Sequence, residues 1–164
     1  EKIDSIAFPG MTANFDAAKT AALAVTMLDW KEFGDDYVAE MVFMSKTLAS
    51  SLEDYDIPIF FGALGHTQSH QFAVLSEEYG GGQRLAKMLR KSGFLTSGIG
   101  LPVKDLDGDL NGLRIGTPEL VRWGMKAKDS KRLAKLISNA LKGRLVIDEV
   151  SEWRKTFKKL HYIH

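Results

Sequence analysis

The chain has 164 residues, 45% hydrophobic and 26% charged, with 22 basic against 21 acidic side chains for a net charge of +1. That suffices for one soluble globular core and gives no bulk electrostatic reason to bind nucleic acid or an anionic membrane. The absence of cysteine excludes disulfides and thiolate chemistry, and with no secretory signal and no apolar run near the ~20 residues of a membrane span, a cytoplasmic protein is expected.

Two helical patterns come first. Ala17, Ala18, Ala21, Ala22, Val25 and Leu28 recur at helical spacing, as do Val38, Met41, Val42, Ala49 and Leu52, with Gly34 and Asp35 between them. They are expected to form one long bent connector. Apolar runs at 57–61 and 70–75 read as strands around a glycine turn, and Leu85, Met88 and Leu89 mark a helix ending at Gly93. Gly80-Gly81-Gly82 lacks the lysine and hydroxyl of a phosphate loop and reads as a flexible helix entry. Phe94 begins another strand, and a loop over 99–110 follows. Asp105, Asp107 and Asp109 alternate there as in a calcium loop, but Leu110 and Gly116 stand where glycine and glutamate are required, so a polar turn is expected.

The segment Asn111-Gly112-Leu113-Arg114-Ile115-Gly116-Thr117-Pro118 sets one arginine in a short apolar strand between glycines. Such a charge is not a solvated patch; a guanidinium held there offers a rigid two-pronged donor to a carboxylate, with a buried structural ion pair as the other reading. Thr117 is placed to cap the next helix and Pro118 to occupy its first position. Leu133, Leu136, Ile137, Ala140 and Leu141 give a further helix, capped by Asp129 and ended by Gly143, and Val146, Val150, Trp153, Phe157 and Leu160 a last amphipathic one. His66 and His70 lie four apart without a third ligand nearby, which favours hydrogen-bonded loop histidines over zinc. Helices packed on a small sheet make an α+β domain, with a boundary between 1–55 and 56–164.

At the arginine segment the chain resembles serine hydroxymethyltransferases, whose C-terminal region carries a Ser-Gly-(Ile/Leu)-Arg-(Ile/Leu)-Gly-Thr-Pro stretch. Phe8-Pro9-Gly10 corresponds to the Phe-Pro-Gly that opens the same region, and Gly65-His66-Thr67-Gln68-Ser69-His70 to a glycine-rich turn ending in histidine. The resemblance implies the C-terminal small domain of a fold-type-I pyridoxal 5'-phosphate (PLP) enzyme, part of a homodimer or larger assembly acting on small amino acids in one-carbon metabolism. It implies that Arg114 binds the substrate α-carboxylate while the Cα–Cβ bond is made or broken. The PLP lysine of the family lies upstream of the Phe-Pro-Gly element. The chain opens at Glu1 after it, so either a C-terminal piece or an enzyme assembled from two polypeptides is expected, with no catalytic residue here and no activity without the upstream half.

Three departures qualify the resemblance. Met11-Thr12-Ala13-Asn14-Phe15 replaces a Gln-Gly-Gly-Pro stretch whose amides reach the cofactor phosphate; Thr12 and Asn14 either supply donors to PLP instead, or Asn14 caps the helix. Gly98-Ile99-Gly100-Leu101 lacks the asparagine that contacts folate before Pro102, so tetrahydrofolate is not carried over. Trp123 stands in the place of an arginine. A threonine aldolase or transaldolase without folate is therefore the alternative reaction, and a non-catalytic subunit or isolated domain the alternative from another class.

Overall fold

The structure, a computed structural model, describes residues 1–11 and 16–164. It divides into two compact units, Glu1–Gly34 with Tyr162–His164, and Asp35–His161.

In the first unit a short helix, α1 (Lys2–Ser5), runs into a π-type turn over Ile6–Met11. Phe8 breaks the helical path with φ −143 and ψ 128. The long helix α2 (Ala17–Glu53) begins in this unit. Asp16 opens it, its carboxylate accepting from the Ala18 amide at 3.0 Å. Tyr162–His164 belongs here too: the His164 amide and Nδ1 lie 3.0 and 2.8 Å from an Asp29 carboxylate oxygen, and Nε2 lies 2.7 Å from Glu32.

The second unit holds the rest of α2, whose Tyr37, Met41, Met44, Leu48 and Leu52 are buried at helical spacing. Three strands, β1 (Gln71–Leu75), β2 (Ser97–Ile99) and β3 (Gly112–Gly116), form an antiparallel sheet in the order β1-β3-β2. Phe72, Val74, Leu113 and Ile115 alternate onto one face and are all buried. Helix α3 (Gly82–Lys91) packs on β2 and β3, and α5 (Ser130–Leu141) packs on α3. Two shorter helices complete the unit, α4 (Pro118–Arg122) and α6 (Ile147–Arg154). The α+β class is as expected. Among the described residues no helix is long and apolar enough to cross a membrane.

Several local expectations are corrected. Residues 57–61 pair with β1 only through an isolated bridge from Ile59 to Val74. Asp56 and Phe61, at φ 63 and 57, turn the chain at both ends before a ladder can grow. The next strand starts at Ser97, not Phe94. The triple glycine is no flexible entry: Gly81 has φ 118, and a Cβ on Gly82 would overlap the Gly112 carbonyl oxygen, so glycine is what lets α3 start against the sheet. Thr117 makes no side-chain cap; its hydroxyl lies 2.8 Å from the Met41 carbonyl and 3.0 Å from that of His70, its single proton shared between them. Asp129 caps not α5 but the preceding 3-10 turn, accepting from the Lys126 amide at 2.9 Å. The last helix stops at Arg154, short of Phe157 and Leu160.

Candidate functional site

Strand alternation decides where Arg114 points. Leu113 and Ile115 go into the core, so Arg114 stands on the opposite face and is exposed. It makes no ion pair or side-chain hydrogen bond with the described residues, and its exposure corrects the expectation that the charge is kept from solvent within this chain. Its direct cross-strand neighbours are Ala73 and Ser97, and Gly112 and Gly116 lie two residues away on the same strand. These four small residues make a low floor at the base of the arginine, with Gln71, Leu75 and Ile99 diagonal to it on the same face.

One border of that floor is apolar. Leu101 and Ile99 lean over Gly112, where a Cβ would run into both side chains. The loop carrying Leu101 is held by Asn111, a buried residue: its amide oxygen accepts from the Leu101 amide at 2.6 Å, and its NH2 faces the carbonyls of Leu101, Val103 and Lys104 at 3.0–3.3 Å. This role was missed from the sequence, where Asn111 was read only as part of the arginine segment.

Asp109 likewise turned out to be more than a polar turn residue. One carboxylate oxygen accepts from the Gln83 and Leu110 amides at 3.0 and 2.6 Å, the other from Arg84 at 3.0 Å. It thus caps α3 from across the chain. The Arg84 amide foremost, then those of Gln83 and Leu110 and the nearby Lys87 charge, hold its carboxyl below the usual range against an opposing desolvation. Together Asn111 and Asp109 tie both ends of the 99–110 loop to the sheet and helix beside Arg114.

The turn between 61 and 70 is held by a second polar pair. His66 Nε2 lies 2.6 Å from Glu53 Oε2, with His66 itself at φ 67. His70 contributes only its backbone carbonyl, to the amide and hydroxyl of Thr117. Among the described residues no group of three or more histidine, aspartate or glutamate side chains could hold a metal ion. Trp123 is covered by Arg154, whose guanidinium carbon sits 4.1 Å from the ring centre.

Thr12 and Asn14, the expected cofactor contacts, lie outside the described residues. Every described lysine is exposed except Lys126, which pairs with Glu40 at 3.3 Å.

No protein-family model matches the chain. It is 49% identical over 167 residues to an α-methylserine aldolase of a Ralstonia species and 50% identical over 165 residues to one of Variovorax paradoxus. It is 33% identical over 168 residues to a serine hydroxymethyltransferase of Archaeoglobus fulgidus. Each comparison covers 99% of this chain and 38% of the relative, so the chain spans well under half the length of the curated relatives it matches. Its fold matches the crystal structure of an L-threonine transaldolase from Pseudomonas fluorescens, a fold-type-I PLP enzyme, with a TM-score of 0.81 and 25% identity over 95% of this chain and 36% of that one.

Proposed function

We infer that the chain belongs with the serine hydroxymethyltransferases and α-methylserine aldolases and is the C-terminal part of a PLP-dependent enzyme that makes or breaks the Cα–Cβ bond of small β-hydroxy amino acids. The observation that carries this reading is the exposed guanidinium of Arg114 on a floor of small residues, within a chain similar along its length to enzymes so named. PLP supplies an electron sink for the pair left on Cα when that bond breaks. This chain's task is the other end of the substrate: Arg114 takes the α-carboxylate in two places and fixes rotation about the bond from nitrogen to Cα, choosing which bond is cleaved.

The reaction we propose is the folate-independent one. Relatives at 48–50% identity are named α-methylserine aldolases, those at 32–34% serine hydroxymethyltransferases. The apolar border of Ile99 and Leu101 offers a pterin ring no polar partners. The complete enzyme, with the upstream part that brings the PLP lysine, should convert α-methylserine into alanine and formaldehyde, the Cα–Cβ bond breaking as the hydroxyl proton leaves and Cα gaining a proton. Strict dependence on tetrahydrofolate would refute this. The transaldolase whose fold the chain shares supports a second reading, in which another aldehyde takes up the carbanion.

Arg114→Ala in the complete enzyme is the direct test. Amino-acid affinity should fall by roughly 100-fold, the loss of a charge-assisted bidentate contact, while the visible absorbance of bound PLP is kept. Unchanged affinity would return Arg114 to a structural role. This chain alone we expect to be inactive, and the working enzyme to be a cytoplasmic homodimer or larger assembly, with the functional division near residues 55–58, ahead of the sheet that carries Arg114.

A further inference from the structure

Helix α3 carries a charge pattern that the described residues leave unanswered. Between Gly82 and Lys91 it holds Arg84, Lys87, Arg90 and Lys91 and no acidic residue. At ~100° per residue, Arg84, Lys87 and Lys91 fall within roughly 60° of one another around the axis, a single basic stripe about 10 Å long. Neighbours on that stripe repel, and Arg84 stands in the first turn, where the helix dipole disfavours a cation. None of the three makes an ion pair or side-chain hydrogen bond with a described residue. The stripe borders an open cleft of about 620 Å³ between α3 and residues 108–110. Met88 and Leu110 give the cleft an apolar lining, and Asp109 is its one carboxylate. That carboxylate is spent on the backbone amides of Gln83, Arg84 and Leu110. Arg84 is already in place, its guanidinium lying against the Gly80 turn, where a Cβ would come within 3.0 Å of Nη1.

We propose that this cleft binds a short chain of phosphates, the polyphosphate tail of a nucleotide or inorganic triphosphate, with Arg84, Lys87 and Lys91 as its donors. Cations set in a line match an anion whose charges are also in a line, which a single carboxylate or sulfate does not offer. Arg84 brings a planar fork to one phosphate, and the two lysines bring point charges to the others. A long nucleic-acid strand fits less well, because Asp105 and Asp107 are exposed just before the 108–110 wall and repel phosphates that continue past it. The cleft shares no lining residue with the floor around Arg114, so the inference does not depend on the functional reading above.

Calorimetric titration of the complete, PLP-loaded protein with inorganic triphosphate and with ATP is the test; loading keeps the cofactor's own phosphate site occupied. Both should bind at low salt and weaken as salt rises. Replacing Arg84, Lys87 and Lys91 together by alanine should weaken both by roughly 100-fold or more, and alanine at these exposed positions suits the helix. Replacing the exposed Lys128, Lys131 and Lys135 removes the same charge elsewhere and should change the affinity by less than about threefold. Equal losses in the two triple variants would reduce the attraction to net charge and overturn the proposal, as would the absence of binding at millimolar concentration. Tighter binding of a short RNA than of either ligand would make the cleft a nucleic-acid site and overturn it equally. ATP much tighter than triphosphate seats the base on Met88 and Leu110 and names a nucleotide as the source, whereas equal affinities name the inorganic chain. Arg114→Ala should leave triphosphate binding unchanged, which separates this inference from the amino-acid site; a loss of binding there would put the triphosphate at Arg114 and refute the cleft.

Discussion

The two parts of α2 are one continuous helix in backbone and two different objects in sequence. Beyond Asp35 it carries a single buried stripe, Tyr37, Met41, Met44, Leu48 and Leu52, with charged residues such as Asp36 and Lys46 exposed between its members. Before Gly34 the large apolar residues Leu23, Val25, Met27 and Leu28 spread over about 200° of the circumference and are all exposed. The first pattern is satisfied by the unit it belongs to, and the second is not. Helical geometry alone therefore does not make a helix amphipathic; the distribution of its apolar residues tells how many sides something else must cover.

That contrast can be broken by truncating each part in turn. Leu48 is fully buried, and Leu48→Ala should cost about 2–5 kcal/mol in urea unfolding of the chain. Leu23→Ala should change the same transition by less than about 0.5 kcal/mol; equal losses would mean that the first part is already packed. Smaller than the Leu48 effect is that of Asn111→Ala, which takes the side-chain partner from the Leu101 amide and from the Val103 and Lys104 carbonyls and should cost about 1–3 kcal/mol. Its signature is faster amide hydrogen exchange at Leu101, and an unaltered rate there would show that Asn111 does not hold the loop.

Acidity should separate the two units in opposite directions. Asp109, in the second, is held below the usual carboxylate range by the amides it caps. The support it gives α3 is present above its unfolded value and is lost as pH falls through the depressed one. Asp109→Asn should shift the acid limb of unfolding to higher pH. The smallest effect belongs to His164 in the first unit, raised above its ordinary value of about 6.5 chiefly by the hydrogen bond to Asp29, then by Glu32, against an opposing desolvation. Its contribution is present below that value and fades as pH rises through the elevated one, because a neutral imidazole donates from one nitrogen only. Proton NMR titration of His164 checks this, and a midpoint at or below the ordinary value would remove the tether.

Much of the site was legible in the sequence for physical reasons that are local. The apolar strand that carries Arg114 and the glycines that bound it are written in consecutive residues; the exposure of its charge follows from alternation with Leu113 and Ile115, which the expectation of a charge kept from solvent did not allow for. What could not be read was held over distance. Asn111 grips a loop seven to ten residues back, and Asp109 caps a helix that starts 27 residues earlier in the chain; neither partner is implied by the residues next to it. The 57–61 run looked like a strand because it is apolar, but two left-handed residues at its edges cut the pairing to one bridge. The two apolar patterns of α2 both recur at helical spacing, which predicts a helix for each but does not tell how many of its sides are apolar.

Arg114 stands three residues before a double fastening. The Thr117 hydroxyl reaches the Met41 carbonyl, and the Tyr37 phenol, one helical turn earlier along α2, donates to the Pro118 carbonyl at 3.0 Å. A single bolt would let strand and helix pivot; two at different heights resist both sliding and torque. A pull on the guanidinium is therefore carried into the helix as into a beam, and any small rotation of that beam re-aims the fork at its far end.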